Sequence, residues 1–121
     1  MLISLGDPAE VHLRVRGEVD LLVAAQLHDS VCCAASAHAD RLVVVDLAEV
    51  TFLDSSGISA LVQAQLALTG EGRRLVVRNA TAMVSRVLDL TGAGDFLGLN
   101  EHERTPSTSP RAARDAVPVP M

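Results

Sequence analysis

The chain has 121 residues, the length of a single domain, and a formal net charge of −5. All 10 of its basic residues are arginine, and its only aromatic residues are Phe52 and Phe96. An acidic chain without a basic patch or stacking rings is a poor nucleic-acid binder. Without lysine it also lacks the residue with which a phosphate-binding P-loop contacts nucleotide.

At 49% hydrophobic the chain can fill a core, which must be built from Val, Leu, Ile and Ala. No apolar run reaches the length of a membrane span. The start, Met1 to Asp7, lacks the basic n-region of a signal peptide. A soluble, cytoplasmic protein is expected. Cys32 and Cys33 are adjacent and point in different directions on a helix. Reduced thiols are therefore expected rather than a disulfide between them.

Leu2 to Leu5 reads as a short strand, followed by turn chemistry at Gly6-Asp7-Pro8. Val11, Leu13 and Val15 alternate with His12, Arg14 and Arg16, which predicts a strand with one wet face. The two strands are expected to pair as an antiparallel hairpin. Residues 21 to 38 read as a helix, with Asp20 placed to cap it and Ala24, Leu27, Val31 and Ala34 or Ala35 on its buried face. His28 and Cys32, four apart on that helix, have a spacing that can hold a metal. A full site needs further ligands, and a semi-buried thiol is the simpler reading.

Arg41 to Leu47 reads as a strand, its Leu42 to Val45 run implying burial on both faces of a parallel sheet. A second helix should carry Ile58, Leu61, Val62 and Leu66 inward and run to about Thr69, stopping at Gly70-Glu71-Gly72. Its exposed side should present Ser59, Ala60, Gln63, Ala64 and Ala67. Leu75 to Val77 is another buried strand. Thr81 can cap a third helix that ends near Gly92, and Phe96 to Leu99 reads as a last short strand. Strands and helices alternating at such short intervals imply an α/β domain with a mainly parallel sheet and about three helices. From Glu101 the composition turns polar and proline-punctuated, so the domain is expected over residues 1–100 and a disordered tail over 101–121.

The stretch with most chemistry is Asp54-Ser55-Ser56-Gly57-Ile58. It lies where the loop after an apolar strand becomes a helix N-terminus. Asp and Ser there can cap the first-turn amides, and the helix dipole tolerates a phosphate at the same place. In that setting the segment resembles the phosphorylation loop of the STAS domain family. The closer likeness is to its single-domain bacterial anti-sigma factor antagonists. Gly17-Glu18-Val19-Asp20, Val76-Val77-Arg78-Asn79 and Val84 to Gly92 resemble three further family stretches in order and spacing. Together they cover about residues 1 to 100. Many members carry a further C-terminal helix, for which this chain offers at most a turn or two around Arg111 to Ala116.

The resemblance implies a small α/β domain that binds an anti-sigma factor and so frees a sigma factor. It implies Ser56 as the phosphoacceptor and Asp20, Asp54, Ser55 and Gly57 as its partner- and kinase-binding surroundings. The implied partners are the anti-sigma factor, itself an ATP-dependent serine kinase, and a serine phosphatase. No nucleic acid, membrane, cofactor or metal is implied. Two other classes compete. A serine-nucleophile enzyme would need a G-x-S-x-G elbow and a histidine base, and neither is evident. A constitutive STAS-type interaction module would use Ser55 and Ser56 only as caps.

Overall fold

The computed structural model describes residues 2–4 and 9–99. Its elements are β1 (Leu2–Ser4), β2 (Glu10–Val19), α1 (Leu21–Ala37), β3 (Leu42–Leu53), α2 (Ser55–Thr69), β4 (Leu75–Arg78), α3 (Ala82–Leu90) and α4 (Ala93–Phe96). The strands form one sheet in the order β1-β2-β3-β4. The pairs β2–β3 and β3–β4 are parallel, and β1 runs antiparallel to β2. The residues of the expected turn, Gly6-Asp7-Pro8, and of the expected tail lie outside the described residues.

Alternation along the strands decides which side chains meet the helices. Val11, Leu13, Val15, Val43, Val45, Leu75 and Val77 join Leu27 and Val31 of α1, Leu61 and Leu68 of α2, and Val84 and Leu88 of α3 in one core. That core is wholly aliphatic, because Phe52 and Phe96 are both exposed. Fully burying a side chain such as Leu27 or Leu61 contributes about 1.5–3 kcal/mol. Val44 and Val76 are buried as well, although they point to the opposite face. Burial of Val43, Val44 and Val45 in succession is what the unbroken apolar run required.

That second face is partly closed by a polar strap. Arg78 reaches from β4 across β3 to Glu10 on β2, with Nη2 3.1 Å from Oε2. His12 Nε2 donates to Glu10 Oε1 at 2.8 Å. The histidine bond, aided by Arg78 and opposed by desolvation, holds the Glu10 carboxyl below its ordinary value of 4.5.

Two side chains, buried Gln65 and half-buried Arg73, lock the periphery. Gln65 Oε1 accepts from Leu75 N at 2.8 Å, while its Nε2 donates to the carbonyls of Leu75 and Phe96 at 3.0 and 2.9 Å. The Arg73 guanidinium donates to the carbonyls of Ala35, His38 and Arg41, tying the end of α1 to the approach to β3.

Four expectations need correction. The last segment is not a strand: Ala93–Phe96 is a fourth helix, followed by a turn through residue 99. Gly94, buried in that helix, has Asp89 Oδ1 only 2.7 Å from where a Cβ would stand, a close approach that suits glycine. Ala60 and Ala64 are buried rather than exposed, because α2 packs on α1 and small side chains let the two helices approach. Leu66 turns outward instead. The strands after Val15 and Leu47 also run further than predicted, to Val19 and Leu53.

Gln65→Leu should lower unfolding stability by about 2 kcal/mol in a urea titration, since it strands the buried amide of Leu75. The lowered carboxyl of Glu10 gives stability that is present above pH 4.5 and lost as pH falls through the folded-state value. The melting-temperature gap between wild type and Glu10→Gln should therefore narrow as pH drops below about 4.5.

Candidate functional site

The parallel register pairs Val19 with Leu53, so β2 and β3 end side by side. The next residue of each chain segment is an aspartate that caps a helix. Asp20 has φ −106° and ψ −169°, and its Oδ1 accepts from Leu22 N and Val23 N at 3.1 Å each. Asp54 has φ −96° and ψ −174°, and its Oδ1 accepts from Ser56 N at 3.0 Å and Gly57 N at 3.1 Å. The Asp54 amide donates to Val19 O at 3.4 Å, which joins the two corners directly.

Ser56 lies on the first turn of α2 and is half-buried. Its Oγ donates to Asp54 Oδ1 at 2.5 Å. One carboxylate oxygen thus takes three donors from the same turn. The Ser56 hydroxyl, followed by the Gly57 amide and then the Ser56 amide, holds the Asp54 carboxyl below its ordinary range. At neutral pH it is an anion, and it polarises the Ser56 O–H. Ser55 is exposed, and none of this cluster's hydrogen bonds involves it.

Gly57 is needed for shape. A Cβ at that position would stand 2.4 Å from Leu53 Cδ1 and 2.8 Å from Val19 Cγ1. Leu53 and Val19 are buried at the strand ends, so only glycine lets the first turn of α2 settle on them.

The five residues singled out in the sequence therefore share one end of the sheet. Asp54, Ser56 and Gly57 form a bonded unit, and Asp20 caps the neighbouring helix. Of the remaining candidates, His28 lines the cleft between α1 and α2 that Ser56 also lines. His28 Nδ1 is 3.6 Å from Asp29 Oδ1, Cys32 is half-buried and Cys33 exposed, and both thiols are free. Burial first, and nearby acidic groups second, push the Cys32 thiol up. Among the described residues no group of three or more His, Cys, Asp or Glu is placed to hold a metal. None of the described helices is long and apolar enough to cross a membrane.

Sequence reasoning missed Leu21 and Leu22, which are 73% and 80% exposed directly after Asp20. Leu22 lies off the Ala24, Leu27, Val31 stripe, and that spacing could have revealed it. Leu21 falls on the stripe, three residues before Ala24. It is exposed because it lies beyond the last paired residues of the sheet, Val19 and Leu53.

The chain is thus a small α/β domain with a capped, serine-bearing turn at the end of its parallel strands. Residues 6–99 match the family described as "Mlab, STAS domain", and the chain belongs to the STAS domain family. An anti-sigma-B factor antagonist of Staphylococcus epidermidis is 28% identical over 89 residues, covering 74% of this chain and 82% of that protein. The protein of the same name from Staphylococcus aureus strain NCTC 8325 is 26% identical over the same length. In fold, the chain is similar to the anti-sigma factor antagonist SpoIIAA in its unphosphorylated form. The TM-score is 0.66 at 19% identity, with 97% of this chain and 98% of that chain covered. The phosphorylated form of the Bacillus cell fate determinant SpoIIAA gives a TM-score of 0.60 at 20% identity, covering 78% and 85%.

Gly57→Ala tests the close approach. Alanine gains about 1 kcal/mol in helix propensity, while the overlap with Val19 and Leu53 costs about 1–3 kcal/mol. A net loss of stability is expected on thermal melting, against the propensity trend, and a more stable variant would show that the corner can relax.

Proposed function

We propose that this chain is an anti-sigma factor antagonist whose binding is switched off by phosphorylation at Ser56. In the unmodified state it binds an anti-sigma factor and frees the sigma factor that this partner holds. The proposed partner is an ATP-dependent serine kinase, and a serine phosphatase reverses the modification. The proposed setting is the cytoplasm, and the chain acts by binding rather than as an enzyme. The observation that carries the reading is the short bond between Ser56 Oγ and Asp54 at a half-exposed helix start. Relatives named anti-sigma-B factor antagonists support the biological role.

Phosphorylation replaces the hydroxyl hydrogen through which Ser56 donates to Asp54 with a group carrying about −1.5 to −2 charges. That group arrives beside an existing carboxylate. The first-turn amides of Ser56 and Gly57, which would stabilise an anion, already serve Asp54. No basic residue occurs between Asp46 and Arg73 in the sequence, so no arginine of that stretch can clamp the phosphate. Asp20, on the adjacent corner, adds negative charge. The modification therefore acts at the surface, by repulsion and lost shape fit against the partner, and the sheet beneath need not move.

A second reading has support of its own. The bond that ties Ser56 to Asp54 also suits a cap with no other duty. In that case the chain is a constitutive interaction module. Mapping phosphate by mass spectrometry on protein from its own cells separates the two. Under the proposed reading phosphate lies on Ser56, Ser56→Ala keeps the fold and partner binding but is not phosphorylated, and Ser56→Asp weakens binding only in part. Phosphate mapped mainly to Ser55, or partner binding retained after complete phosphorylation of Ser56, would move the assignment to the constitutive module.

A further inference from the structure

Helix α3 has two faces. Val84 and Leu88 are buried in the core, and the helix packs on β3 and α4. The opposite face carries Met83, Arg86 and Leu90 at the three- and four-residue spacing of one helical stripe, with Asp89 beside Leu90, and all four are exposed. Met83 is 60% and Leu90 76% exposed. A hollow of about 730 Å³ runs along this face, and every residue that lines it belongs to α3. Among the described residues, then, no other element covers the stripe.

The pattern on the stripe is that of a surface able to meet itself. Two apolar side chains stand at its ends, and one arginine and one aspartate lie between them. Among the described residues neither the Arg86 guanidinium nor the Asp89 carboxylate has an ion-pair partner. When a second copy is turned end for end about a two-fold axis through the middle of α3, Met83 of each copy opposes Leu90 of the other. At 1.5 Å per residue, Arg86 then falls only about 3 Å along the helix from Asp89 of the other copy, a distance its side chain spans. Symmetry makes each pairing twice, so the stripe is complementary to itself. The chain's formal net charge of −5 opposes self-association in general. This stripe, with one charge of each sign, is balanced.

We propose that α3 is the contact of a two-fold dimer of this chain, with Met83 packed on Leu90 and Arg86 paired with Asp89 across the axis. The helix has nine residues, a length of about 14 Å. It offers far less than the roughly 800 Å² per partner of a stable interface. The dimer is therefore weak, forming at about 100 µM rather than at nanomolar concentration. None of the four residues belongs to the turn that carries Asp54 and Ser56, so the proposal stands apart from the function proposed above.

The test is sedimentation velocity on the full chain from about 10 µM to about 1 mM, a series that spans that affinity. Wild type should pass from monomer to dimer across the series. Leu90→Ser should weaken self-association by about tenfold, as loss of an interface anchor does. Arg86→Asp should abolish it by setting carboxylates against each other. Combining Arg86→Asp with Asp89→Arg should restore it, because the two-fold axis pairs the exchanged charges again. Leu66→Ser, at an exposed position of α2, should leave it unchanged. Circular-dichroism melts check that each variant is folded, and should a charge variant fail to fold, Met83→Ser carries the same expectation as Leu90→Ser. Wild type that stays monomeric at the top of the series overturns the proposal. A dimer that Leu90→Ser and Arg86→Asp leave intact places the contact elsewhere and overturns it too. A folded double variant that remains monomeric removes the charge pairing on which it rests. A monomeric full chain in which Leu90→Ser moves the amide signals of residues 111–121 assigns this face to the chain's own C-terminal segment instead of a second copy.

Discussion

The parallel pairing of β2 with β3 is the constraint on which the site depends. From Arg14 to Val19, β2 takes five residue steps, while β3 takes seven from Asp46 to Leu53. Two extra residues of β3 are therefore absorbed as irregularities before the strands end together. Asp46 supports the first of them, its Oδ1 accepting from Ala48 N at 2.9 Å. Gly17 takes a positive φ of +80° in the same region, a conformation that glycine adopts freely. Had the register slipped by one residue, the side chains of β2 would have exchanged faces. Asp20 and Asp54 would then cap helices that do not start together.

Given that register, the rest of the site follows from unpaired backbone groups. The first amides of a helix need acceptors, and an aspartate directly after a strand supplies them. The two aspartates are equivalent in sequence but not in load. Asp20 serves two amides of α1, whereas Asp54 serves two amides and a hydroxyl. That additional donor makes Ser56 part of the cap while leaving it at the surface. A modification at this hydroxyl is thus coupled to the helix start without being buried in it.

Much of this was legible in the sequence for identifiable reasons. The Val43 to Val45 run, the capping aspartates at 20 and 54, the stop at Gly70 and the threonine cap at Thr81 are local signals, and local chemistry decided them. The failures involve partners distant in sequence. Ala60 and Ala64 read as exposed helix positions, and only the packing of α1 on α2 buries them. Gln65 carries no local signal of burial, which depends on Leu75 and Phe96 being brought to it. Glu10 and Arg78 are 68 residues apart, and no periodicity announces their meeting across β3. Phe96 to Leu99 has strand-like composition, but Gly92 at φ +79° and the Leu97 N to Ala93 O bond turn the chain into a helical coil instead.

That last turn has a consequence for how the sheet terminates. β4 is an outermost strand, and Leu75 and Val77 direct their backbone groups away from β3. An open row of such groups is a template on which another chain can add a strand. Here the side-chain amide of Gln65 meets both the N–H and the C=O of Leu75, as a neighbouring peptide unit would, and Leu97 O accepts from Val77 N at 2.9 Å. A glutamine and a single helical turn thus do the work of a fifth strand. They close the β4 border of the sheet to edge-to-edge growth.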